Sequence, residues 1–142
     1  MALTYPIGPG GLELDVLVNL EAAALLPLWQ TGVRPAAVPA RGMIDTGSDL
    51  TAVSQAILQR LAVPAVGRAT TQGIAGPVAV VLYRVSIHLY DAGNPGLPWI
   101  TWPSLLVSEL PTTLPFDVLV GMDVLRTCRM HLDGPAGWFT LD

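Results

Sequence analysis

The residues whose types and spacing point most directly to chemistry are Ile44-Asp45-Thr46-Gly47-Ser48. They follow the small apolar lead-in Gly42-Met43 and run on into Asp49-Leu50-Thr51-Ala52-Val53-Ser54. A carboxylate on a tight turn at the end of an apolar strand, braced by a hydroxyl and a glycine, can act as a general base on water. Asp45 is the acid of this pattern. Thr46 can hold the turn with its hydroxyl, and Gly47 lets backbone approach the carboxylate closely and can take a positive φ. The chain offers one such motif.

Asp-Thr-Gly alone arises by chance in roughly a few per cent of chains this long. A purely structural reading makes Asp45 a turn residue or a helix N-cap, places that Asp, Thr, Gly and Ser favour. Two further segments bear on the choice. Gln72-Gly73-Ile74-Ala75-Gly76-Pro77 is glycine-rich and lies between two strand-like arms, where an ordinary hairpin turn would also place Gly and Pro. Asp117-Val118-Leu119-Val120-Gly121-Met122-Asp123-Val124-Leu125 reads as a buried strand followed by a helix, with Asp123 capping the first turn.

With these three segments in this order, the chain resembles the retropepsin-like aspartic proteases, the single-domain family of retroviral proteases and their cellular and bacterial relatives. The resemblance frames residues 42–125. It implies an all-β fold of closed, barrel-like sheets with a flap hairpin and one or two short helices. It also implies a homodimer that acts on a peptide or protein substrate. Asp45 corresponds to the catalytic carboxylate, and Thr46, Gly47 and Ser48 support its loop. Gly73, Ile74, Ala75 and Gly76 correspond to the flap tip that closes over the substrate. The late strand packs beneath the catalytic loop in this family, so Asp117 and Asp123 are support and not chemistry. One departure stands out. Retroviral members usually carry an arginine after the late glycine, where it pairs with an acid near the catalytic loop. Here that position is Met122, so Asp49 must find another partner or face the substrate.

The implied reaction is peptide hydrolysis without a covalent intermediate. Asp45 and its symmetry mate hold one water and share one proton, the ionised carboxylate acting as base while the protonated one polarises the scissile carbonyl. Neither a metal nor an organic cofactor is called for. Cleft walls are expected to be apolar, from residues such as Leu50, Ile74 and Val78, so apolar side chains are expected to flank the cut.

Size and composition agree with one domain over residues 1–142, too short for a two-lobed enzyme with one catalytic aspartate per lobe. Hydrophobic residues make up 51% and charged residues 13%, which suits a chain that hides surface in an interface or cleft. The net charge is −4, and the basic residues are seven scattered arginines with no basic stripe, which argues against nucleic-acid binding. No run of apolar residues reaches the length of a membrane span, and no signal peptide is visible, so the expectation is a cytoplasmic protein. A single cysteine, Cys128, excludes an internal disulfide and reads as a small buried hydrophobe. His88 and His131 lie far apart with no partners at metal-ligand spacing and read as ordinary strand residues.

Leu12, Leu14, Val16, Val18 and Leu20 alternate with Glu13, Asp15, Leu17 and Asn19, the pattern of a half-buried strand. Residues 22–40 are longer than the family's turn and are expected to form a short helix or a lid beside the cleft. Ser54 is a plausible N-cap for a helix through Leu61, with Ile57, Leu58 and Leu61 as its apolar face. Strands follow at 66–72 and 78–89, at 99–107, and near 129–132 and 137–141, with a helix at 122–127. The terminal segments 3–7 and 138–141 look like strands able to interleave between subunits. Two rival readings remain. Actin-like ATPases and sugar kinases use an Asp-x-Gly-Ser/Thr turn on phosphate, but they need two large α/β domains that this chain lacks. A catalytically silent homodimeric binding module would keep the fold without needing an acid at position 45.

Overall fold

Alternation of apolar and polar side chains organises the molecule from its first long strand. The structure, a computed structural model, describes residues 2–73, 75–110 and 114–142. After β1 (Leu3–Pro6), β2 (Glu13–Leu20) buries Leu14, Val16 and Val18 completely and leaves Glu13, Asp15 and Leu17 partly exposed. β2 pairs antiparallel with β3 (Val38–Ile44) on one side and with β6 (Gly76–Tyr90) on the other. This double pairing closes a ring in the order β2-β3-β8-β4-β7-β6, in which β4 is Ala52–Ser54, β7 is Ile100–Leu110 and β8 is Val118–Val120. Closure leaves these strands no free edge and encloses a core that includes Val53, Val85, Ile87, Leu89, Val107 and Val118. The mostly-β expectation holds. β5 (Ala65–Gly73) stands outside the ring and forms a long hairpin with β6, its register ending at Gly73↔Gly76.

Three helices are present among the described residues, against the one or two expected. The additional one is α1 (Ala22–Gln30), which buries Leu25 and packs on β7, with Glu21 at its start accepting a 2.7 Å hydrogen bond from Ser104. The helix alternative for residues 22–40 is therefore the correct one, and no residue of this stretch lines the cleft described below. α2 (Gln55–Arg60) starts as its sequence predicts, with Ser54 Oγ accepting from the Ile57 amide at 3.4 Å and with Ile57 and Leu58 buried. It ends at Leu61, where Ala62 turns the chain out through a positive φ of 54°. α3 (Met122–Leu125) is shorter than the pattern suggested. No helix among the described residues is long and apolar enough to cross a membrane.

The two chain ends pair with each other within the chain. β1 pairs with β10 (Trp138–Leu141) of the same chain, and β10 pairs in turn with β9 (Met130–Asp133). The reason is burial. Leu3, Tyr5, Phe139 and Leu141 join the barrel's own core, so leaving for a partner would expose all four. Tyr5 reinforces the closure: its ring lies 5.4 Å from that of Phe139, and its hydroxyl donates to the Tyr90 carbonyl at 2.7 Å. Burial, with the Asp15 and Asp91 carboxylates nearby, raises the phenol pKa, so Tyr5 stays a donor across the working pH range.

The segment that follows β3 is locked to the start of α3. The Asp45 amide extends the β3–β8 pairing by donating to the Val120 carbonyl at 2.9 Å. The Met122 and Asp123 amides donate to the Ser48 and Asp49 carbonyls at 2.7 and 3.2 Å. In return, the Asp123 carboxylate accepts from the amide of Thr51 (3.0 Å) and from its hydroxyl (2.8 Å). Thr51, wholly buried, accepts from the Gly121 amide at 3.1 Å. The N-cap of α3 is Gly121, without a side-chain cap, so Asp123 sits within the first turn, where its carboxylate also accepts from the Val124 amide at 2.9 Å.

Gly121 allows this contact because it has no side chain. A Cβ there would sit 2.7 Å from the Leu50 carbonyl carbon and 2.8 Å from the Leu50 and Ser48 oxygens. Backbone on both sides cannot swing away as a side chain would, so Gly121→Ala is expected to cost at least about 1–3 kcal/mol. The check is thermal unfolding, in which the variant's midpoint should fall by several degrees. A midpoint equal to that of the wild type would mean the two segments are free to separate.

Candidate active site

Asp45 follows the last residue of β3, at the point where parallel pairing with β8 ends. Its Oδ1 accepts the Gly47 amide at 2.9 Å, and the Asp45 carbonyl accepts the Ser48 amide at 3.2 Å, which closes a tight turn. Gly47 makes the close approach expected of it, because a Cβ would lie 3.2 Å from Oδ1, but it does not use a positive φ. Ser48 Oγ donates to the Leu50 carbonyl at 2.7 Å and stiffens the far side of the loop. Thr46 is exposed, and its hydroxyl has no partner among the described residues. The loop thus holds one carboxylate oxygen by a backbone amide and leaves the other open.

Asp45 opens onto a cleft of about 910 Å³. One wall is the loop itself, through Gly47, Ser48, Asp49 and Leu50. The opposite wall is the β5–β6 hairpin, through residues 69–72 of one arm and 78–80 of the other. Apolar surface comes from Leu50 and Val78, as expected, and also from Val80, Leu110 and Leu119. At the hairpin tip, Gly73 pairs with Gly76, and Gly76 takes a φ of 121° that a side chain would resist. Ala75 lies in the two-residue turn between them, and Ile74 falls outside the described residues.

Asp49 has no arginine to pair with. Its carboxylate is exposed on the cleft wall and makes no hydrogen bond or ion pair among the described residues. The two ion pairs found among those residues both belong to Arg41, which holds Asp15 at 2.8 Å and Glu13 at 3.5 Å. Asp117 and Asp123 do not line the cleft.

Gln55, Ser108 and Glu109 line the cleft although nothing in the sequence marks them. Parallel pairing of β4 with β7 brings Ser54 opposite Leu110 and Val53 opposite Glu109. Gln55 then donates through Nε2 to Glu109 Oε2 at 2.9 Å. Thr51, the buried anchor of the loop, likewise carries no local signal in the sequence.

The remaining titratable candidates lie away from the cleft. His88 sits on β6 with Nδ1 3.0 Å from Thr101 Oγ1, and burial lowers its pKa. Cys128 packs against the core, and burial raises its thiol pKa, which suits a structural residue. No group of three His, Cys, Asp or Glu side chains among the described residues is placed to hold a metal ion.

No protein-family model matches the sequence, and no curated protein matches it either. Solved structures do match. A retropepsin-like aspartic protease from Rickettsia conorii superposes over 99% of this chain and 90% of its own, with a TM-score of 0.59 at 12% sequence identity. EIAV protease, in complex with the inhibitor HBY-793, aligns over 81% of this chain and 85% of its own, with a TM-score of 0.49 at 20% identity. At 12% identity, what the first pair shares is the path of the backbone over nearly the whole chain. This protein has the retropepsin-like fold.

Proposed function

We propose that this chain is an aspartic endopeptidase that works as a homodimer, its active site formed where Asp45 of two copies meets. The fold by itself does not carry this reading, since one fold hosts many functions. What carries it is the setting of Asp45: a carboxylate at a strand end, one oxygen held by the Gly47 amide, the other open to a cleft sized for a peptide. Gly47 holds the loop in that posture through its amide and Ser48 through its hydroxyl. The free hydroxyl of Thr46 suits a hydrogen bond to the second copy. A binding module would have no use for such an acid.

Two such carboxylates around one water share a proton. The ionised one removes a proton from water as it attacks the scissile carbonyl, while the protonated one donates to the carbonyl oxygen. The β5–β6 hairpin acts as the flap. Its tip residues Gly73, Ala75 and Gly76 fold over an extended substrate and exclude water. The second carboxylate comes from a second copy, since the chain offers one Asp-Thr-Gly loop. β1 and β10 pair within the chain, and the unpaired edge of β9, with Met130 and Leu132 exposed, offers an apolar edge for the partner.

Asp45→Asn keeps the shape of the side chain and removes the base, so hydrolysis of a peptide library should fall by at least about 10²–10⁴ with unfolding unchanged. New peptide termini read by mass spectrometry provide the assay. Comparable cleavage by the pure variant would sink the assignment. Specific activity should also fall as the enzyme is diluted, and excess Asp45→Asn protein should poison the wild type by forming heterodimers with one carboxylate. Constant specific activity across dilution would refute the shared site. At the flap, Gly76→Val forces a side chain into a positive φ while meeting nothing within 4 Å. It should lower turnover with little change in global stability, and unaltered kinetics would mean that the hairpin is not the lid.

A further inference from the structure

We infer that the cleft selects peptides carrying a lysine or arginine side chain beside the scissile bond. The inference rests on the proteolytic reading of the site and names its substrate class. Three carboxylates line the cleft, those of Asp45, Asp49 and Glu109, and none of the seven arginines and neither histidine does. Asp45 is reserved for chemistry. Glu109 has one oxygen held by Gln55, at 2.9 Å. Asp49 is anchored through its backbone carbonyl, which accepts the Asp123 amide at 3.2 Å, while its carboxylate has no partner among the described residues. The residue beneath it that follows Gly121 is the uncharged Met122, whose amide holds Ser48. A fixed backbone with a free carboxylate presents a charge at a defined place. A second copy at the site doubles that charge.

The rest of the lining selects the form of the cation. Leu50, Val78, Val80, Leu110 and Leu119 give the walls an apolar surface between the carboxylates. A purely apolar substrate side chain would cover that surface but strip water from Asp49 without replacing it, which is unfavourable. Lysine and arginine combine an apolar stem with a charged end, so the stem packs along the walls while the head reaches a carboxylate. An acidic side chain meets like charge in a cleft whose walls focus the field. The apolar walls expected from the sequence remain, but the apolar side chains expected beside the cut give way in this inference to cationic ones with apolar stems.

The test separates selection from catalysis. Asp45→Asn protein is titrated into labelled peptides that differ at one central residue, Arg, Lys, Gln or Glu, and binding is read by fluorescence anisotropy. Arg and Lys peptides should bind about fivefold tighter than the Gln peptide at low salt, and the Glu peptide weaker still. The gap should shrink in about 0.5 M salt. Adding Asp49→Asn and Glu109→Gln to the same background should abolish it. Equal binding of the Lys and Gln peptides, absence of binding by all four, or a gap that survives in the Asp49→Asn, Glu109→Gln background would overturn the inference. Wild-type cleavage of a peptide library reports separately. Cleavage with no enrichment of basic residues beside the cut sinks the inference and leaves the proteolytic reading standing. A preference in binding with no cleavage at all sinks the proteolytic reading instead.

Discussion

The posture of Asp45 depends on a contact between two stretches of backbone with no side chain between them. Gly121 lies against the Ser48 and Leu50 carbonyls, and the adjoining amides of Met122 and Asp123 bond to the loop. The wholly buried Thr51 and the partly buried Asp123 complete the joint with a side-chain pair. Each of these bonds is modest alone, about 0.5–1.5 kcal/mol net. Together they convert a flexible Asp-Thr-Gly-Ser turn into an extension of the barrel wall. The loop is precise because the barrel is rigid.

The barrel also explains why the cleft has one firm wall and one looser one. The inner half of β6 belongs to the closed ring and buries Val85, Ile87 and Leu89 completely. The outer half pairs outward only with β5, and its side chains near the tip are exposed, Val78 among them. Few buried contacts and solvent-facing hydrogen bonds make such a segment the first to open locally, while the ring stays shut. One continuous strand therefore provides both a fixed foundation and an element able to move.

Charge is distributed in a matching way. The basic groups lie outside the cleft, Arg41 on the barrel surface with Asp15 and Glu13, Arg34 above the Trp29 ring beyond α1. The carboxylates of Asp45, Asp49 and Glu109 remain inside it. The absence of an arginine after Gly121 matters in this light. The clamp on the Asp45 loop is built from backbone amides and the Thr51–Asp123 pair, so Asp49 is not consumed in holding the structure together.

Features that depend on neighbours a few residues away were legible in the sequence. The period-two burial of β2, the Ser54 cap of α2, the turn at Asp45-Thr46-Gly47 and the hairpin closed by Gly73 and Gly76 are all of this kind. Each expresses a local rule of side-chain direction, hydrogen bonding or allowed φ. Ring closure decided the rest. Pairing β1 with β10 joins opposite ends of the chain, and parallel pairing of β4 with β7 carries Glu109 to the cleft beside Gln55. The same closure presses Gly121 onto Leu50 and sends α1 to β7 rather than over the cleft. None of these leaves a local pattern, because a β-strand's residues state which face they bury but not which strand lies beside them. The sequence by itself determined the tight turn that carries Asp45 and the strands that hold it. Only the tertiary structure decided which side chains share its cleft, since long-range pairing is set by the whole barrel closing at once.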